Sequence, residues 1–207
     1  MVRVKVCGIR SREDALFCLQ QGVHALGLVF HRRSPRYISP VEASLLIRSL
    51  PPLVSWVGVF VDREPDEVLA IARQVGLDTI QLHGSESPRV CLYLMEEGLR
   101  VIKALRIRSP ADLRGWEAYR GRVSAILLDT RVDGTPGGSG RTFPWEVSRR
   151  ITGLPVILAG GLNPQNVREA IRAVKPWGVD VSSGVEKAPG VKDPGLIEEF
   201  MKKVRGG

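Results

Sequence analysis

The sequence predicts an α/β fold, a single (β/α)8 barrel of the TIM class, on three observations. Eight short apolar runs alternate with about as many helical patterns. Most runs are apolar on both faces, as in parallel strands covered by helices. Their spacing varies little, with no long insertion and no break in composition, which suits one barrel domain over residues 1–207. The competing arrangement is a doubly wound sheet. A dinucleotide-binding sheet of that kind needs GxGxxG between its first strand and helix, and "CGIRSRED" lacks it.

The strands are expected at "VRVKVCG" (2–8), "ALGLVF" (25–30), "SWVGVFV" (55–61), "TIQLHG" (79–84), "RVIKALRI" (100–107), "AILLDT" (125–130), "LPVILAGG" (154–161) and "GVDVSSG" (178–184). The first helix, "SREDALFCLQQG", has Ser11 as cap, acids in its first turn and Gly22 as terminator. "SPVEASLLIRSL", "EPDEVLAIARQVG", "SPRVCLYLMEEG" and "NPQNVREAIRAV" repeat the design, most with a capping residue or proline at the entrance. "SPADLRGWEAYRG" (109–121) is the weakest helical pattern, interrupted by Gly115. "DPGLIEEFMKKVRGG" closes the chain behind Asp193 and Pro194.

Composition narrows the function classes. A chain of 207 residues with 43% hydrophobic residues can bury a large core without staples. There is no apolar run of membrane-spanning length and no signal-peptide pattern, so no membrane partner and a cytoplasmic location are expected. Cys7, Cys18 and Cys91 are odd in number, widely spaced and match no zinc pattern. The net charge of +8 raises nucleic-acid binding as an option. The arginines are scattered, however, and aromatics make up only 6%, which disfavours a base-stacking platform. A positive field equally suits a small anionic substrate.

Alternation along the strands puts Lys5 and Cys7 on one face of the first strand, with Val4 and Val6 on the other. Leu127 and Asp129 share a face in the sixth. Gln81 and His83, Lys103, and Asp180 and Ser182 follow the same argument. The polar faces are expected inside the barrel near its C-terminal rim, where barrel active sites are built. Structural alternatives exist for each residue: a buried cysteine that merely fills space, an aspartate capping a loop, a solvated loop arginine at Arg36. Cys18 and Cys91 lie on helix faces and read as packing residues, while His24 and His31 show no ligand spacing.

Three glycine-rich stretches follow strands six to eight: "DGTPGGSGRTFPWE", "LAGGLNPQNV" and "DVSSGVEKAPGVKD". Glycine lets backbone N–H groups approach an anion, and barrels often hold phosphate with the loops after strands 7 and 8 plus a short extra helix. Gly138, Ser139 and Gly140, then Gly160 and Gly161, then Ser182, Ser183 and Gly184 are the candidate phosphate-binding residues, the last three opening such a helix.

In order and spacing, "VKVCGIR", "LGLVFHRRSPRYIS", "VGVFVD", "IQLHGSE", "IKALRI", "LLDT", "GGSGRTFPWE", "LAGGLNPQNV" and "DVSSGVEKAPGVKD" resemble the phosphoribosylanthranilate isomerase family nearly from end to end. The resemblance implies an isomerase of tryptophan biosynthesis. It would carry out the Amadori rearrangement of N-(5-phosphoribosyl)anthranilate to its 1-deoxyribulose 5-phosphate derivative, with no cofactor and no metal. It implies Cys7 as general base, Asp129 as general acid, and Arg36 as a residue holding the anthranilate part. His83 would be structural or would orient the substrate. Opening an aldosylamine ring needs an acid beside the ring oxygen, so Asp129 is expected to bind substrate in its protonated form. A thiol can remove the C2 proton if a nearby charge makes it acidic enough, and Lys5 is placed to supply that charge.

Another phosphosugar isomerase of the phosphate-binding barrel group is the alternative reading. A histidine-pathway isomerase is expected to have aspartate where Cys7 stands. An epimerase would want a metal site that no His/Asp/Glu cluster supports. A monomer and a homodimer are both compatible with the sequence.

Overall fold

The computed structural model describes residues 1–129 and 145–206. Eight parallel strands close in chain order into a barrel. They are β1 (Arg3–Cys7), β2 (Ala25–Val29), β3 (Ser55–Phe60), β4 (Thr79–Leu82), β5 (Arg100–Arg106), β6 (Ala125–Asp129), β7 (Val156–Ala159) and β8 (Gly178–Val181). Closure is made by β1 against β8, in a register that sets Lys5 opposite Asp180.

Outside the barrel run α1 (Arg12–Gln20), α2 (Pro40–Arg48), α3 (Pro65–Val75), α4 (Pro88–Glu96), α5 (Val167–Val174) and α6 (Pro194–Arg205). Proline opens four of these helices, where its missing N–H costs nothing. Ser11, Ser39, Ser87 and Asp193 each accept a hydrogen bond from a backbone N–H of the first turn. Such caps contribute about 1 kcal/mol each.

The weak pattern at 109–121 is not an α-helix. It forms two 3₁₀ turns, Pro110–Leu113 and Trp116–Tyr119, broken at Gly115, which sits at φ +79°. A left-handed glycine cannot continue a helix, so the chain is covered there by the side chains of Leu113 and Trp116. A further 3₁₀ segment, Trp145–Arg150, precedes β7. After β8 the expected short helix is a single 3₁₀ turn, Ser183–Val185. It runs into an antiparallel hairpin absent from the sequence prediction, β9 (Glu186–Ala188) with β10 (Val191–Lys192).

The core has two shells, as strand alternation requires. Val4, Val6, Leu26, Leu28, Ile80, Ile126, Leu158 and Val179 face outward and pack with helix residues such as Ala15, Cys18, Cys91, Leu94 and Phe200. Val57, Ile102, Ala104, Ala125, Leu127 and Ala159 fill the barrel interior. These aliphatics lie between the two mouths of the barrel, and Cys7, His83, Asp129 and Asp180 stand at the C-terminal one.

Candidate active site

A cavity of about 260 Å³ occupies that mouth, and its walls carry most of the residues expected from the sequence. Cys7, Arg36, His83, Asp129, Gly160, Gly161, Asp180, Ser182 and Ser183 all line it. A larger cavity, about 460 Å³, lies at the opposite, N-terminal mouth among Arg3, Arg100, Trp177 and the interior aliphatics. It contains neither Cys7 nor Asp129, and the C-terminal cavity is the one that gathers the chemistry.

Cys7 ends β1 and is buried against Val29 and Val59. The space for its sulfur comes from Gly27 on the neighbouring strand. A Cβ there would lie 2.8 Å from Cys7 Sγ and 3.1 Å from Lys5 Nζ. Lys5 Nζ donates to both carboxylate oxygens of Asp180 at 3.0 Å. Burial opposes the Lys5 ammonium, but Asp180 and then Cys7 outweigh it and hold the group above its ordinary value. Burial pushes the Asp180 carboxyl up, and Lys5 draws it partly back. Burial also pushes the Cys7 thiol up, opposed by the positive charges of Lys5 and Lys192. The resting thiol is therefore protonated, with cations in place to stabilise a thiolate once a reaction calls for one.

Across the mouth, His83 Nε2 lies 3.1 Å from Asp129 Oδ2, and Gln81 Nε2 lies 3.1 Å from His83 Nδ1. With Gln81 donating to Nδ1, the imidazole carries its proton on Nε2 and donates it to Asp129. Gln81 is buried, so this relay holds the imidazole, and with it the carboxyl, in one orientation.

The loops after β7 and β8 meet around Gly184. A Cβ on that residue would collide with the Leu162 carbonyl, so glycine permits the close approach. Gly184 supports the loop contact, while Gly160, Gly161, Ser182 and Ser183 line the cavity. The Ser182 hydroxyl donates to the Cys7 carbonyl at 3.0 Å and ties the two strand ends together. Gly138, Ser139 and Gly140 lie outside the described residues.

Lys103 corrects the sequence reading. It was expected inside the rim, but Ile102 and Ala104 take the interior positions of β5, and Lys103 points to the helix layer. There its ammonium donates to Leu82 O, Gly84 O and Glu86 Oε2, the last at 2.8 Å. The same alternation carries Arg106 into the cavity, which the pattern Ile102–Ala104–Arg106 would have revealed. Glu186 and Lys192 were also missed. Both stand in the glycine-rich stretch after β8, and the Pro189–Gly190 turn marks a hairpin there, but nothing local shows that it folds Lys192 back onto Cys7. Among the described residues no group of three or more His, Cys, Asp or Glu is arranged to hold a metal, and no helix is long and apolar enough to cross a membrane.

The chain is similar over its whole length to known proteins. A family model described as N-(5'phosphoribosyl)anthranilate (PRA) isomerase matches residues 4–203. N-(5'-phosphoribosyl)anthranilate isomerase from Geobacter sulfurreducens is 47% identical over 207 residues, covering all of both chains. The enzyme of that name from Thermotoga neapolitana is 49% identical over 208 residues, again over both full lengths. The crystal structure of phosphoribosyl anthranilate isomerase from Thermotoga maritima superposes with a TM-score of 0.91 at 45% identity, over the whole of both chains. A phosphoribosyl anthranilate isomerase solved in complex with reduced 1-(o-carboxyphenylamino)-1-deoxyribulose 5-phosphate gives 0.88 at 43% identity, with the same coverage. With the family model, the full-length identity and the barrel in agreement, this chain belongs to the N-(5'-phosphoribosyl)anthranilate isomerase family.

Proposed function

We propose that this chain, as a single barrel domain, isomerises N-(5-phosphoribosyl)anthranilate to 1-(2-carboxyphenylamino)-1-deoxyribulose 5-phosphate in tryptophan biosynthesis. The observation that carries the reading is that a thiol on β1 and a carboxyl on β6 line one cavity whose other walls are glycine- and serine-rich loops and arginine side chains. Asp129, held by His83, protonates the ring oxygen as the C1–O bond breaks and the amine nitrogen forms an iminium. Cys7, as thiolate, takes the proton from C2. The resulting enolamine becomes the ketone. Hydrogen moves from C2 to C1 overall, so no oxidant or reductant is consumed. General acid and general base each supply a factor of about 10²–10⁴.

Gly160, Gly161, Ser182 and Ser183 receive the phosphate, supported by Gly184. Arg36 receives the anthranilate carboxylate. Asp180 holds Lys5 beside the thiol. The cytoplasm is the compartment that fits a free, reduced Cys7. A monomer or a homodimer fits the chain, in which Val41, Leu45, Leu53 and Trp177 are exposed apolar side chains. The test is direct: purified protein should consume the fluorescence of phosphoribosylanthranilate in the presence of a chelator. Absence of turnover under those conditions rejects the reading.

A further inference from the structure

Arg36 does not stand alone at the mouth. Glu186 Oε1 accepts from its Nε at 2.8 Å and Oε2 from its Nη2 at 2.6 Å, a bidentate pair with the carboxylate almost wholly buried. The methylenes of Arg36 lie over Gly8, where a Cβ would come within 2.6 Å of Cδ. A guanidinium has five donors, so the side facing Glu186 is spent and the Nη1–Nη2 fork remains for a second carboxylate.

Behind Glu186 lies Lys192, a lysine only 1% exposed. Its Nζ donates to Glu186 Oε1 at 2.9 Å, to the Cys7 carbonyl at 2.6 Å and to the Ser182 carbonyl at 3.1 Å. All three ammonium donors are therefore used. Burial alone would raise the Glu186 carboxyl, but the Arg36 and Lys192 hydrogen bonds outweigh it and keep the group ionised. A buried cation that does not line the cavity, spending two donors on backbone carbonyls, is costly unless it fixes something. Here it joins the end of β1 and the loop after β8 to the carboxylate that aims Arg36.

We propose that Glu186 and Lys192 are positioning residues of the isomerase site. Glu186 holds Arg36 with one fork turned to the aryl carboxylate of the substrate, and Lys192 locks that clamp to the strand end that carries Cys7. Capture of the aromatic acid and placement of the thiol are thereby set by one arginine–glutamate–lysine chain, half-buried at Arg36 and buried at Glu186 and Lys192. The proposal rests on the function given above, and a wild-type enzyme that turns over phosphoribosylanthranilate establishes that function independently of the variants.

The experiment compares two inhibitors on wild type and Glu186→Gln: reduced 1-(2-carboxyphenylamino)-1-deoxyribulose 5-phosphate and the same compound without its ring carboxylate. Glu186→Gln is expected to weaken the first by about tenfold or more and to leave the second within about twofold, with KM rising more than kcat falls. Lys192→Gln is expected to lower kcat as well, since it also frees the Cys7 carbonyl. Should Glu186→Gln fold poorly, Glu186→Asp keeps the charge on a shorter arm and should show the same selective loss in milder form. Equal weakening of both inhibitors would mean general loosening and would overturn the proposal, as would no change in either.

Discussion

Lys5 Nζ sits 3.0 Å from both carboxylate oxygens of Asp180, a buried bridge across the β1–β8 seam, two residues before Cys7 on the same face of β1. The bridge keeps a cation beside the thiol without leaving that cation unpaired. Because burial raises the thiol, and the proposed mechanism pairs a thiolate with a protonated Asp129, the pH profile of kcat/KM should carry a thiol limb beyond the ordinary thiol range. Lys5→Met removes the strongest opposing charge, so the limb should move further to alkaline pH. It also leaves Asp180 uncompensated, at a cost of about 3–5 kcal/mol. A pH profile with a matching thermal melt checks both, and an unmoved limb in Lys5→Met would reject the electrostatic role.

Gly27→Ala probes the space rather than the charge. The new methyl would meet Cys7 Sγ at 2.8 Å and the Cys7 Cα at 3.0 Å, and the latter cannot swing away. Overpacking of this kind costs about 1–3 kcal/mol. The displaced thiol should lower kcat by at least about tenfold while KM changes little, read from steady-state kinetics on the folded variant.

Asp129→Asn should lower kcat by about 10²–10⁴, because the amide cannot protonate the ring oxygen. His83→Ala removes one hydrogen bond to Asp129 and should cost only about tenfold. Comparable losses in the two variants would instead make His83 a direct proton donor.

Cys18 gives a stability signature apart from the chemistry. Burial on α1 pushes its thiol up to about 12 from an ordinary value of 9.0. Its folded pKa lies above its unfolded one, so its contribution is complete below about pH 9 and is lost as pH rises toward 12. The loss amounts to about 4 kcal/mol at most. In urea melts, the stability of Cys18→Ala should fall less steeply than that of wild type between pH 9 and 11. Parallel curves would contradict the burial argument.

The barrel was legible because each strand and most helices carry local signals. Ser11, Ser39, Ser87 and Asp193 mark real helix entrances. Strand parity likewise put Cys7, His83, Asp129 and Asp180 at one mouth. It fails at Lys103, whose partner Glu86 lies outside the strand layer, so the lysine turns to the helices and not to the barrel interior. Gly115 signalled a weak helix but not the two 3₁₀ turns that replace it. Lys192 was invisible because its meaning depends on a hairpin that returns the chain to β1, a nonlocal contact with no period to detect.

Whether the thiol of Cys7 is the base is decided by kcat of Cys7→Ala on phosphoribosylanthranilate. The variant should bind substrate with a KM close to wild type, since phosphate and carboxylate are held elsewhere in the mouth, and its kcat should fall by about 10²–10⁴. A Cys7→Ala enzyme with the kcat of wild type would contradict the account.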